Sequence, residues 1–128
     1  MHVTHNIPDT DTSECKTIQE ILGRVGDKWS VLIVMKLAES PHRFNELKRV
    51  ITGISQRMLT FTLRGLEREG LIERTVYDTV PPSVEYTLTE LGLSIKEPVI
   101  MLGMWAVKNQ HLIQHARENF DKRDKSRK

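Results

Sequence analysis

With a single cysteine, Cys15, the chain can form no disulfide within itself, and a reducing cytoplasm is the expected compartment. Aromatic residues make up 5% of the 128, too few for a platform that stacks single-stranded nucleic acid. Long hydrophobic runs are also missing. The longest, Val99 to Val107 broken only by Gly103, is about half of the ~18 residues that a membrane span needs. Met1 to Asn6 hold neither a basic cluster nor an apolar stretch, which argues against a secretory signal. No nucleophile elbow, phosphate loop or zinc-protease motif occurs, so the chain does not read as an enzyme and no cofactor is expected. Its length suits one domain, and no internal repeat or long linker interrupts it.

Charge is abundant but nearly balanced, with 19 basic against 17 acidic residues and a net charge of +2. Its distribution is uneven. Asp9, Asp11 and Glu14 make the start acidic, whereas Arg43, Lys48, Arg49, Arg57, Arg64 and Arg68 face only Glu46 and Glu67 across residues 41–68. Basic residues again outnumber acidic ones after Ala116. A nearly neutral chain with a basic middle points to one positive face.

Residues 1–13 read as a loose arm, residues 14–120 as the domain with its terminal helices, and residues 121–128 as a charged tail. Ile18, Ile21, Leu22 and Val25 recur at helical spacing over Glu14 to Val25, and Gly26 closes that helix. Asp27 can cap a second helix, Lys28 to Ala38, which is apolar nearly all round and is expected to be buried. After a short extended link at His42-Arg43, the pattern predicts a helix with Phe44, Leu47, Val50 and Ile51 on one face. Thr52-Gly53-Ile54 forms a tight turn in which Gly53 can take positive φ. Ser55 then caps a helix from Gln56 to Glu69, ended by Gly70. Leu59, Leu63 and Leu66 form its apolar stripe. Gln56, Arg57, Thr60, Phe61, Arg64 and Arg68 form the other.

Residues 71–77 read as a strand, 78–82 as a turn containing Pro81-Pro82, and 83–88 as the returning strand of a hairpin. Thr89 caps a short helix over Glu90 to Lys96, and Pro98 opens a last helix that reaches about Phe120. The fold class is therefore α+β, mainly α. A short helix, a glycine-containing turn, a capped longer helix and a hairpin compose a winged helix-turn-helix with helices at both ends.

That order suits DNA. A helix fits the major groove, its first residues reach base edges, and its N-terminal N–H groups meet phosphate oxygens. The exposed stripe of Gln56–Glu69 holds three arginines and no acid, although Glu67 and Glu69 lie nearby. A solvated face of any helical protein could look similar. The combination of turn, cap, basic stripe and hairpin favours nucleic acid.

The sequence resembles the HxlR-type winged-helix transcription regulators, relatives of the MarR type. The residues that carry the likeness are Cys15, Gly26-Asp27-Lys28-Trp29-Ser30, Arg43-Phe44-Asn45-Glu46-Leu47, Gly53 to Thr60, Leu63 to Glu67 and Gly70-Leu71-Ile72. Tyr77, Val80-Pro81-Pro82, Val84 to Thr89, Gly92 and Trp105 continue it. The resemblance implies a homodimer that binds a palindromic or pseudo-palindromic double-stranded DNA operator, without a membrane partner. It names no small-molecule effector. The contacts expected are Arg43, Ser55, Gln56, Arg57, Thr60, Arg64 and Arg68, with Ser83 in the wing at about residues 77–84. Within the recognition helix, Gln56, Arg57 and Thr60 suit bases, and Arg64 and Arg68 suit phosphates.

Three positions depart from the family pattern. Ser83 replaces the arginine usual after the two prolines, which weakens the wing's hold on phosphate. Gly65 sits mid-helix, where it costs ~1 kcal/mol relative to alanine. Phe61 occupies the DNA-facing stripe and either touches thymine methyl groups or folds back onto the wing, the second being favoured.

Dimerisation is expected through the ends of the chain. In the last helix Val99, Leu102, Ala106, Asn109, Ile113 and Ala116 recur at helical spacing, while Pro98, Met101, Trp105 and Leu112 line a neighbouring face. One face is expected to cover the domain's own core. The other is left for a second copy, with Ile18, Ile21 and Leu22 of the first helix across the two-fold axis.

Cys15 has two readings, a small apolar residue at a helix start or, as the resemblance implies, a sensor of electrophiles or oxidants. A helix start favours thiolate and Lys16 adds to this, but Glu14 opposes it. Without a second cysteine, sensing requires a thiol from elsewhere. His111 and His115 lie one helical turn apart, yet no third ligand is nearby for zinc. Two other functions remain open at this stage: a winged helix that binds protein without sequence-specific DNA binding, and a thiol redox protein.

Overall fold

Asp27 shows how local chemistry starts the fold. Its carboxylate accepts the backbone N–H of Ser30 at 3.2 Å, which satisfies one of the unpaired donors at the start of a helix. The computed structural model describes residues 13–127; the expected N-terminal arm, with His2 and His5, lies outside them except for Ser13. The elements are α1 (Ser13–Val25), α2 (Lys28–Glu39), β1 (His42–Arg43), α3 (Phe44–Val50) and α4 (Gln56–Arg68). They continue with β2 (Ile72–Tyr77), β3 (Ser83–Leu88), α5 (Glu90–Ser94) and α6 (Lys96–Ser126). The backbone divides into two compact units after Lys96.

In the first unit the apolar side chains converge. Ile33, Val34 and Leu37 of α2 join Leu47, Ile51 and Ile54, then Leu59, Leu63 and Leu66 of α4, and Leu71, Ile72 and Tyr86 complete the core. α2 is less uniformly buried than its composition suggests, since Leu32 is 42% exposed. Val50 is 43% exposed as well, which corrects the expected inward face of α3. That helix is only two turns long, and Leu47 and Ile51 already fill its inward positions. Gly53 adopts φ +88°, a conformation that costs glycine nothing and turns the chain from α3 into α4.

The expected hairpin is part of a three-stranded antiparallel sheet ordered β1-β3-β2. His42 pairs with Tyr86 and Arg43 with Glu85 on one side of β3. On the other side the register runs from Ile72 opposite Leu88 to Tyr77 opposite Ser83. The link at His42-Arg43 is thus a strand, and it ties the helix-turn-helix to the wing. Thr89 caps α5 by accepting the N–H of Gly92 at 3.0 Å, while its own hydroxyl donates to the Gly70 carbonyl at 2.6 Å.

The second unit is α6. It begins at Lys96 rather than Pro98, which places the proline in the first turn, where a missing N–H breaks no helical bond. It also continues beyond Phe120 to Ser126 through the charged segment. Asp121 and Lys125 stand one turn apart with opposite charge, and Arg123 and Lys125 suit the negative end of the helix dipole. No residue of α6 is buried. The first unit already has its own closed core. Among the described residues no helix is long and apolar enough to cross a membrane.

Candidate nucleic-acid interface

The site is built on α4, and its orientation begins with Ser55. The Ser55 side-chain oxygen accepts the Met58 N–H at 3.0 Å, and Ser55 itself is extended, at φ −78° and ψ 158°. The cap sets where the first turn starts and therefore which residues face out. Leu59, Leu63 and Leu66 are at most 1% exposed. The remaining face presents Gln56, Arg57, Thr60, Arg64 and Arg68, all of them exposed. These five line one open groove of about 1150 Å³.

Three of them do double duty. Gln56, Thr60 and Arg64 also line a smaller groove of about 560 Å³, shared with Phe44, Arg74 and Tyr86. Arg43 and Ser83 belong elsewhere, in a groove between α3 and the tip of the wing that Arg49 and Pro81-Pro82 also line. The expected contacts therefore form a recognition-helix group and a wing group. Arg43 is fixed by Glu46, whose carboxylate accepts its backbone N–H at 2.7 Å.

Charge on this face is mainly positive, although Glu67 also lines both grooves. Arg68 reaches Glu69 at 3.5 Å in an exposed contact of small energetic value. Arg57 and Arg64 form no ion pair among the described residues. Such a surface holds its cations ready for anions from outside, and phosphate diesters fit that chemistry.

In the wing, the Tyr77 hydroxyl donates to the Glu85 carboxylate at 3.1 Å. The hydrogen bond to Glu85, followed by that residue's negative charge, raises the Tyr77 phenol above its ordinary range. Thr79 donates to the Pro81 carbonyl at 2.7 Å and tightens the tip, where Val80 is fully exposed.

Two features escaped sequence reasoning. Arg74 of β2 joins the smaller groove, because its strand pairs with the part of β3 that holds Tyr86. Arg24, from the last turn of α1, lines the main groove. Its guanidinium lies 5.3 Å from the centre of the Phe61 ring. Phe61 thus has Arg24 of α1 as a neighbour. The only available hint was Gly65, a helix-weakening residue one turn after Phe61, where a Cβ would meet the Arg24 guanidinium.

Cys15 is the one buried residue of α1, at 5% exposure, and its sulfur accepts from the Gln19 side-chain amide at 3.6 Å. Ile18 is half-buried, while Ile21 and Leu22 are 44% and 60% exposed. In α6, Val99 and Ile113 are half-buried, and Leu102 and Ala106 are exposed.

Residues 24–114 match the HxlR-like helix-turn-helix family. The chain belongs to that family. The HTH-type transcriptional regulator YtfH of Escherichia coli is 45% identical over 87 residues, which are 68% of this chain and 69% of YtfH. The solved structure of YtfH from Salmonella typhimurium is 36% identical with a TM-score of 0.76, covering 86% of this chain and 97% of that one. The redox regulator HypR in its reduced form is also 36% identical, with a TM-score of 0.71 over 77% of this chain and 98% of its own. HxlR-like proteins are transcriptional regulators rather than enzymes, and they are related to the MarR family. This member has their winged helix-turn-helix.

Proposed function

We propose that this HxlR-like protein is a dimeric, sequence-specific transcriptional regulator that binds a two-fold-related DNA operator. The observation that carries the reading is the capped helix α4, whose exposed face gathers Gln56, Arg57, Thr60, Arg64 and Arg68 around one groove. Gln56, Arg57 and Thr60, near the N-terminus, meet base edges, and Arg64 and Arg68 meet phosphates. Ser55 places the helix start against the backbone. Arg43 and Ser83 contact the flank through the wing groove.

Dimerisation follows from α6, where Met101, Leu102, Met104, Trp105, Val107, Leu112 and Phe120 are all more than half exposed. An apolar surface of that extent calls for a cover, and a second copy supplies one. Leu102 and Ala106, with Val99 and Ile113, pack against Ile18, Ile21 and Leu22 of the other subunit.

Selection from random duplexes tests the reading. The protein enriches a palindromic or pseudo-palindromic site, binds it as two chains, and loses affinity steeply with salt. Enrichment of no sequence, with binding to a protein partner instead, contradicts it.

Cys15 is the site of oxidant control. HypR, a relative by sequence and structure, is a redox regulator. Diamide takes two electrons and two protons from two thiols as they join in a disulfide, and the same residue of a second copy supplies the second thiol. DNA binding by the wild type changes with diamide and recovers with reductant, whereas Cys15→Ser does not respond. Identical responses of the two proteins leave Cys15 a packing residue.

A further inference from the structure

Arg24 sits in the last turn of α1, where a cation suits the helix dipole without reaching anywhere else. It nevertheless extends across to α4. Its guanidinium lies over the Phe61 ring at 5.3 Å and fills the notch left by Gly65. A Cβ at position 65 would come within 2.6 Å of Nε, and closer still to the rest of the guanidinium. Nε is buried and has no hydrogen-bond partner. Arg24 has no acidic partner among the described residues, and it lines the same groove as Arg57, Arg64 and Arg68.

A cation held in this way has lost part of its water without gaining an anion, an arrangement with an evident cost. The aromatic face offsets some of that cost and fixes the guanidinium plane. Both the exposed aromatic residue on a DNA-facing stripe and the glycine inside that helix then have a reason. Phe61 is the platform, and Gly65 is the space.

We propose that Arg24 is a further DNA contact, a guanidinium delivered from α1 that takes one backbone phosphate on the flank of the recognition helix. The proposal rests on the DNA-binding reading above and adds to it a contact from outside the helix-turn-helix. Because α1 also carries Cys15, displacement of this helix moves a phosphate ligand directly.

The experiment is a salt series of anisotropy titrations on the selected duplex, run on the full chain alongside thermal melting. Replacing Arg24 by glutamine lowers the magnitude of the slope of log K against log salt by about 0.9, the share of one phosphate. Selected and scrambled duplexes weaken alike, and melting is little changed. Arg24→Lys keeps the wild-type slope because it keeps the charge. Gly65→Ala, whose new methyl group displaces the guanidinium, reduces the slope as Arg24→Gln does while melting no lower, since alanine is the better helix former. An Arg24→Gln protein with the wild-type slope overturns the proposal, whether or not its affinity falls, because a packing role alone leaves the slope unchanged. Failure of the wild type to bind any duplex overturns the regulator reading itself, a different result from the first.

Discussion

Between α2 and β3 one set of apolar side chains turns inward to a shared core, and Ile33, Leu47, Leu59 and Leu66 are wholly buried. In α6 the same kinds of residue stay outside: Leu102 is 64% exposed, Trp105 55% and Leu112 70%. The difference lies in how many neighbours the topology supplies. α4 is held by a cap, a glycine turn and packing against both α2 and β2, so one stripe is sealed and the other is free to carry arginines. α6 is a unit by itself, and its apolar side chains are at the surface. One region completes itself within a single chain; for the other, the proposed dimer supplies the cover.

Substitution in the sealed region has the largest expected effect. Leu59→Ala removes a wholly buried side chain and costs about 2–5 kcal/mol, measurable by denaturant unfolding. Truncation of Leu102 to alanine stays within about 0.5 kcal/mol for an unassembled chain, since that side chain is already in water. Leu102→Glu combined with Ala106→Glu sharpens the contrast. Sedimentation then falls from dimer to monomer mass while the unfolding of the first unit keeps its cooperativity. A double variant that still sediments as a dimer breaks the distinction.

At the recognition face the effects are smaller and divide by role. Arg57→Ala costs about 1–3 kcal/mol of binding and relaxes sequence preference, as expected of a guanine contact. Arg64→Ala weakens all duplexes alike. Ser55→Ala removes the cap accepted from Met58 and lowers stability by about 1 kcal/mol, seen in thermal melting.

The smallest effect belongs to the wing. Tyr77 titrates above the ordinary tyrosine value because Glu85 accepts its proton in a hydrogen bond and repels the phenolate. The contribution of this pair to stability is complete below that ordinary value and is lost as pH rises through the raised one. Ultraviolet titration shows the shift, and Glu85→Gln brings Tyr77 back toward the usual range. An unshifted Tyr77 in the unsubstituted protein would contradict the pairing.

Much of the first unit was legible because short-range chemistry and periodicity agree there. Asp27, Ser55 and Thr89 each announce a helix start, Gly53 announces the turn, and Leu59, Leu63 and Leu66 have only one face to share. β1 was not legible as a strand: two residues hold no alternation, and only pairing with Tyr86 and Glu85 defines it. The end of α6 was hidden by its charge, since a run of alternating sign reads as a tail until its one-turn pairs are counted. For the site, the arginine stripe was visible on a single helix. Arg24 was not, because its place depends on how α1 meets α4, and Gly65 shows only that something needs room.

In the proposed function, two chains present two α4 helices to one duplex. Footprinting of the selected site, with the stoichiometry read by sedimentation of the complex, measures this directly. Two chains per duplex and two inverted half-sites centred about 34 Å apart, one turn of DNA, are the expected result. A single unpaired half-site occupied by one chain would contradict it.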